Sequence, residues 1–226
     1  MRHLARHFAI AGGQQVSGVV TLSDAQTAGA LVVLAHGAGN DMRNPLLVAL
    51  ADALAEHGFP TVRFNFPYKE RGAGAPDPPA VLEACYRAVL AQLRSDPELG
   101  THRLVIGGKS MGGRIASHLA AAGEAVDGLL FLGYPLHPAG KPEQLRAAHL
   151  RRVTAPMLFL AGTRDSLCRL DLLRGVLDAL PRATLHVVED GDHSFAVRKR
   201  SGRDPGSVRD EIVEASVAWL RTVGRA

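Results

Sequence analysis

Arg103-Leu104-Val105-Ile106-Gly107-Gly108-Lys109-Ser110-Met111-Gly112-Gly113 joins a short apolar run to a G-x-S-x-G pattern, and residues 114–122 after it read as helix. Strand, sharp turn, helix is the setting in which a serine at a strained turn holds its hydroxyl clear above a sheet. The flanking glycines leave room where a Cβ would strike neighbouring backbone. The pattern alone has low specificity, and its weight comes from this setting and from residues downstream. The same stretch ends in Gly-Lys-Ser, as a phosphate-binding G-x-x-x-x-G-K-[ST] loop does. That loop needs glycine where Arg103 stands and flexible backbone where Leu104, Val105 and Ile106 stand, so nucleotide binding at this turn is not expected.

Outward from the elbow, apolar strand-like runs alternate with amphipathic helices, the pattern of a mainly parallel sheet covered on both faces. Residues 31–35 (Leu-Val-Val-Leu-Ala) form a buried strand ending at His36-Gly37. A helix follows with Leu47, Leu50, Ala51 and Leu54 on one face and Gly58 at its C′ position. Residues 61–66 alternate Val62, Phe64 and Phe66 with polar residues as the next strand, and 67–79 form a loop rich in Gly and Pro. Leu82, Cys85, Val89 and Leu93 then mark a helix before the elbow strand. Strands are predicted at 129–132, 157–161 and 184–188, with a helix carrying Leu170, Leu173, Leu177 and Leu180 before the last of them. Asp204-Pro205 is an N-cap and N1 pair for a final helix with Val208, Ile212, Ala215 and Trp219 inward. Two short runs at 8–10 and 16–22 around Gly12-Gly13 predict an antiparallel edge hairpin.

At 226 residues and 46% hydrophobic, the chain suits one α/β domain spanning 1–226. No apolar run is long enough for a signal-peptide core or a membrane span, so a cytoplasmic protein without membrane association is the expectation. Two cysteines, Cys85 and Cys168, lack CxxC or His-rich company, and Cys85 reads as a reduced core thiol. The net charge of +4 comes without a basic stripe or interleaved aromatics, which argues against nucleic-acid binding. The Arg198-Lys199-Arg200 cluster reads as a solvated loop, with an anion contact beside the active site as the alternative.

In sheets of this kind ligands bind at the carboxyl ends of the strands. Gly162-Thr163-Arg164-Asp165 follows one predicted strand, and Glu189-Asp-Gly-Asp-His-Ser-Phe195 follows the last. With the elbow, the chain order is Ser110, Asp165, His193. A serine hydroxyl needs a base to become a nucleophile, and neutral His193 would take its proton and return it to the leaving group. Asp165 would accept the other imidazole N–H and stabilise the imidazolium. Backbone N–H groups of Met111, at a helix N-terminus, and of Ala38, in His36-Gly-Ala-Gly39, are the expected oxyanion donors, with Gly39 as the alternative to Ala38. Removing one such donor typically costs about 3 kcal/mol of transition-state stabilisation.

His36 reads as a structural residue of its loop. His3, His7, His57, His102, His118, His149 and His186 read as surface or packing residues. No spacing resembles a metal site, and Gly37-x-Gly39-x-x-Met42 fails the dinucleotide pattern at its third position, so no cofactor is expected.

With these residues in place, the chain resembles an α/β-hydrolase over its whole length. More narrowly, it resembles small predicted hydrolases related to dienelactone hydrolase, a group that includes testis-expressed hydrolase-like proteins. The segments that carry the resemblance are His36-Gly-Ala-Gly-Asn40, Arg63-Phe-Asn-Phe-Pro-Tyr68, Gly107-Gly-Lys-Ser-Met-Gly-Gly-Arg114, Leu132-Gly-Tyr-Pro-Leu-His-Pro138, Gly162-Thr-Arg-Asp165 and Gly191-Asp-His-Ser-Phe195. The resemblance implies the α/β-hydrolase fold, a mainly parallel twisted sheet with helices on both faces, and the triad Ser110, Asp165 and His193. Dienelactone hydrolases proper use a cysteine nucleophile where this chain has Ser110, so their substrate is not carried over.

The expected activity is hydrolysis of a small-molecule ester or thioester through an acyl-enzyme. The rival is a non-catalytic interaction module that keeps the fold. The connection 134–156 is too short for a large lid, so little or no lid is expected, with Leu136 and His137 near the pocket. Arg43, Lys69, Arg71, Lys109 and Arg164 all follow strand ends. Charge at the mouth from Arg43, Lys69 and Lys109, with His137, is the expected substrate contact and suggests an anionic substrate. The sequence leaves the oligomeric state open.

Overall fold

The structure, a computed structural model, describes residues 1–24, 29–99 and 103–223. The strands are β1 (Arg2–Ala9), β2 (Gln15–Leu22), β3 (Ala30–Ala35), β4 (Thr61–Phe64), β5 (Arg103–Lys109), β6 (Gly128–Leu132), β7 (Met157–Gly162) and β8 (Ala183–Val188). They form one sheet in the order β1-β2-β4-β3-β5-β6-β7-β8. The β1–β2 hairpin is antiparallel, with Phe8 opposite Val16, and β2 also runs antiparallel to β4. Every other neighbour is parallel.

The helices are α1 (Pro45–Glu56), α2 (Pro67–Glu70), α3 (Pro79–Arg94), α4 (Met111–Ala121), α5 (Leu170–Leu177) and α6 (Pro205–Leu220). Strand alternation sorts the core into two layers. Leu31, Val33 and Ala35 of β3 pack with Leu82, Val89, Ile115 and Leu173 from α3, α4 and α5. Val32 and Leu34 face the other way, against Leu47 and Leu50 of α1 and Ile212 and Trp219 of α6. The central strands are thus mostly apolar because both their faces are covered, with Arg63 and Lys109 as buried charged exceptions.

The caps expected at Gly58 and Asp204 form, and Asn44 adds one that the sequence reading did not name. Asn44 Oδ1 accepts the N–H groups of Leu46 and Leu47 at 3.2 and 3.4 Å, and Gly58 takes φ 84° beyond the end of α1. The Asp204 carboxylate accepts the Ser207 N–H at 3.1 Å with Pro205 at N1 of α6. Cys85 and Cys168 are both free, buried thiols.

Several boundaries differ from the sequence reading: the first hairpin strand, expected at 8–10, runs over Arg2–Ala9, and the helix expected at 114–122 starts at Met111. The strand expected over 61–66 stops at Phe64, and residues 67–70, expected as loop, form the single-turn helix α2. The cause is His36, whose Nε2 accepts the Phe66 N–H at 3.1 Å and takes it out of the sheet ladder. Pro67, with its fixed φ and no N–H to satisfy, then starts a helical turn. In the C-terminal third, Leu180 is buried but lies beyond α5, and Ala215 is only partly buried. Among the described residues, no helix is long and apolar enough to cross a membrane.

Candidate active site

Ser110 follows β5 at φ 51°, ψ −115°, a conformation that L residues rarely hold. Strain of this kind costs on the order of 1–3 kcal/mol and persists only where its surroundings over-determine it. Here the Ser110 N–H donates to the Leu132 carbonyl at 3.0 Å, and the Ser110 carbonyl accepts the Arg114 N–H at 3.1 Å. Gly112 permits the close approach beneath. A Cβ built there would lie 2.2 Å from the Ala35 carbonyl oxygen, so α4 starts in direct contact with the end of β3.

Asp165 and His193 follow β7 and β8; His193 reaches Ser110, and Asp165 reaches His193. The Ser110 Oγ lies 2.8 Å from His193 Nε2, and His193 Nδ1 lies 2.9 and 2.8 Å from the two carboxylate oxygens of Asp165. The Asp165 side chain is fully buried and that of His193 is 22% exposed, so the acid is shielded while the imidazole keeps an open edge. Because Nδ1 faces a carboxylate, the neutral ring carries its proton there, which leaves Nε2 as an acceptor for the serine hydroxyl. Asp165 is itself held, since its Oδ1 accepts the Leu167 N–H at 2.8 Å.

Met111 is the first residue of α4, so its N–H has no carbonyl one turn back within the helix. Ala38 is exposed and lies one residue beyond Gly37, where a built Cβ would come within 3.5 Å of Ser110 Cβ. The loop that carries Ala38 thus passes beside Ser110, and Met111 follows the serine directly. The Ala38 loop is braced from below by His36, in the structural role expected of it, and by Arg63 and Asn65, which the sequence reading used only for family resemblance. His36 Nδ1–H donates to the Gly37 carbonyl at 2.9 Å. Arg63 Nη1 donates to the Met42 carbonyl at 2.7 Å, and Asn65 Oδ1 accepts the Met42 N–H at 2.9 Å. The signal was present in Arg63-Phe-Asn-Phe-Pro-Tyr68, where a charged residue stands inside a central strand. Burial lowers the His36 pKa from 6.5 to about 4, which keeps the ring neutral in its structural role.

Two expected substrate contacts are corrected. Lys109 is 6% exposed, and its Nζ donates to the His193 carbonyl at 2.5 Å. It sits at the last ladder position of a strand covered on both faces, so its charge points into the molecule and not toward the mouth. His137 is 2% exposed, with Nδ1–H donating to the Pro138 carbonyl (2.9 Å) and Nε2 accepting the Arg169 N–H (3.1 Å). Both ring nitrogens are consumed by backbone, so His137 ties the Asp165 loop to the exit of β6. Two further cations are engaged as well: Arg71 pairs with Asp77 at 2.5 Å, and Arg164 Nη1 donates to the Asp190 carbonyl at 2.8 Å. Arg43 is exposed and Lys69 half-buried.

The Arg198-Lys199-Arg200 segment is exposed, as expected, with Arg198 paired to Asp190. A second serine–histidine contact, Ser117 Oγ to His149 Nε2 at 2.8 Å, is of another kind. Ser117 is fully buried, and its hydroxyl donates to the Arg114 carbonyl at 2.7 Å, which makes it a packing pair between α4 and the segment beside it. His102 lies outside the described residues. Among the described residues, no cluster of His, Cys, Asp and Glu could hold a metal ion. The 134–156 connection carries one short 3-10 turn (Ala148–Arg152) packed beside α4.

Comparison with known proteins agrees with this architecture. A solved α/β serine hydrolase homologue from Coxiella burnetii superposes with a TM-score of 0.76 at 21% identity, covering 95% of this chain and 98% of that one. A lidless α/β serine hydrolase from Xanthomonas campestris gives 0.75 at 24% identity, covering 97% and 96%. A dienelactone hydrolase from Anabaena variabilis gives 0.76 at 20% identity, also covering 97% and 96%. At these identities the likeness is one of fold. The family model for the alpha/beta hydrolase domain matches residues 28–221, most of the chain, and the protein therefore belongs to the α/β-hydrolase family.

Proposed function

We propose that the protein is a serine hydrolase that cleaves a small-molecule carboxylic ester or thioester through an acyl-enzyme, without a cofactor. The observation that carries this reading is the unbroken chain from Ser110 Oγ to His193 Nε2 at 2.8 Å and from His193 Nδ1 to Asp165. As Ser110 Oγ bonds to the substrate carbonyl carbon, its proton passes to His193 Nε2 and the carbonyl π pair becomes an oxyanion. The N–H groups of Met111 and Ala38 receive that charge. Collapse breaks the bond to the alcohol or thiol, which takes the proton from Nε2. Water, deprotonated in turn by His193, then releases the acid and restores the Ser110 hydroxyl. Asp165 stays ionised throughout and stabilises the imidazolium.

A module without catalysis has no use for a strained serine aligned on a partly exposed imidazole. The test is a fluorophosphonate probe followed by a panel of short esters and thioesters. Wild type is expected to label and turn over, and Ser110→Ala to do neither. A wild-type protein that neither labels nor hydrolyses any of them would return the chain to the interaction-module reading.

A further inference from the structure

Lys109 contributes no atom to the chemistry above, yet its placement is demanding. Its ammonium is buried, and a stem ending in carbon would fill the same space without the desolvation penalty of a charge. The bond from Nζ to the His193 carbonyl joins the strand that presents Ser110 to the loop that presents His193. It passes across the end of β6 at Gly133, where a built Cβ would lie 3.3 Å from Nζ, 3.0 Å from the His193 carbonyl oxygen and 3.4 Å from its Cε1. His193 is thus held at two points, by Asp165 through the ring and by Lys109 through the backbone.

We propose that Lys109 is a positioning residue for the hydrolase reaction, fixing the His193 imidazole within proton-transfer distance of Ser110 by tethering the histidine's own carbonyl. The inference rests on the serine-hydrolase reading. With the tether gone, the ring pivots about its Asp165 contact, and misplacement by about an ångström can cost roughly 10²-fold in rate. The charged and titratable groups facing the ammonium are Asp165 from the β7 exit and Asp192 and His193 from the β8 exit. On the β3 side the stem meets Gly37. Burial brings the ammonium from 10.5 down to about 8, with Asp165 and Asp192 opposing the fall. Loss of its proton above that point replaces a charge-assisted donor with a weaker neutral one.

The test uses full-length wild type, Lys109→Met and Ser110→Ala with a p-nitrophenyl ester. Lys109→Met is expected to lose about 20- to 100-fold in kcat with KM within about twofold. Its melting temperature should equal or exceed that of wild type, because a buried charge has been removed. Wild-type kcat should decline above about pH 8, a limb that Lys109→Met lacks. The NMR signal of the His193 Nδ1–H, read independently of turnover, should be sharp in wild type and broadened by exchange in the variant. A variant with kcat within threefold of wild type, a loss of kcat matched by a fall in melting temperature, or an unchanged Nδ1–H signal would overturn the proposal. So would a wild-type kcat that stays flat to pH 9, a result that needs no variant. Turnover that survives in Ser110→Ala would instead sink the hydrolase reading itself.

Discussion

The Tyr86 hydroxyl, fully buried on α3, meets both the N–H and the carbonyl of Gly107 in the elbow strand. It lies 2.9 Å from the Gly107 carbonyl oxygen, 2.8 Å from that of Val33, and accepts the Gly107 N–H at 3.1 Å. One side chain therefore links β3 and β5 just before Ser110. Tyr86→Phe removes the hydroxyl and leaves backbone groups buried without it, at a cost of about 1–3 kcal/mol. Urea unfolding should show that loss, and esterase activity should fall with it. Unchanged stability would mean that the strands hold their own spacing.

Asp165→Asn should be nearly neutral for the fold and severe for catalysis. The amide can donate to His193 Nδ1, which moves the ring proton to Nε2 and leaves no acceptor for the Ser110 hydroxyl. A loss of about 10³- to 10⁴-fold in kcat is expected. Fluorophosphonate labelling should slow in parallel. A variant that labels at the wild-type rate would exclude Asp165 as the orienting acid.

These residues were legible in the sequence because each stands within a few residues of the end of a strand that announces itself as an apolar run. The strands at 31–35, 157–161 and 184–188 stand out as short apolar runs, and the candidate site residues lie in the loops that follow them. Lys109 and His137 were misjudged for a common reason. Residue type says that a lysine or histidine near a strand end faces water, whereas position inside a doubly covered sheet, or among unpaired backbone groups, says the reverse. The short helix α2 was illegible because four residues carry no periodicity, and the bond that creates it comes from His36, thirty positions away.

Arg43 and Lys69 test what remains of the anionic-substrate expectation once Lys109, Arg71 and Arg164 are removed from the mouth. Surface charges of this kind are screened and act mainly on encounter. At low salt a carboxylated ester should exceed its neutral analogue in kcat/KM by no more than about fivefold, and 0.5 M salt or Lys69→Ala should erase the difference. Equal values at low salt would remove the idea.

Gly162 lets the Asp165 and His193 loops meet. A Cβ at that position would lie 2.2 Å from the Gly191 carbonyl oxygen and 2.8 Å from that of Asp192. Both are backbone atoms that cannot rotate away, so Gly162→Ala must push the β8 exit outward and carry His193 with it. A loss of about 10- to 100-fold in kcat, with a lowered melting temperature, is expected. Activity retained at the wild-type level would mean that the His193 loop adjusts independently of β7.

His36 couples acid stability to the loop that carries Ala38. Its ring is locked as the Nδ1–H tautomer between the Gly37 carbonyl and the Phe66 N–H, with ring centroids 5.0 Å from Phe66 and 5.7 Å from Tyr68. Protonating Nε2 would replace an acceptor by a donor facing an N–H. Burial accordingly holds the pKa near 4, against 6.5 for an ordinary histidine. The unfolded chain takes up this proton first as pH falls, so the contribution to stability is complete above about 6.5 and is lost progressively down to about 4. The gap corresponds to roughly 3 kcal/mol. His149, also lowered to about 4 by burial, titrates in the same window, so total acid unfolding does not isolate His36. The difference in unfolding free energy between wild type and His36→Gln does, and it should shrink by about 3 kcal/mol between pH 7 and pH 4. A difference independent of pH would mean that the folded protein accepts the His36 proton as readily as the unfolded chain.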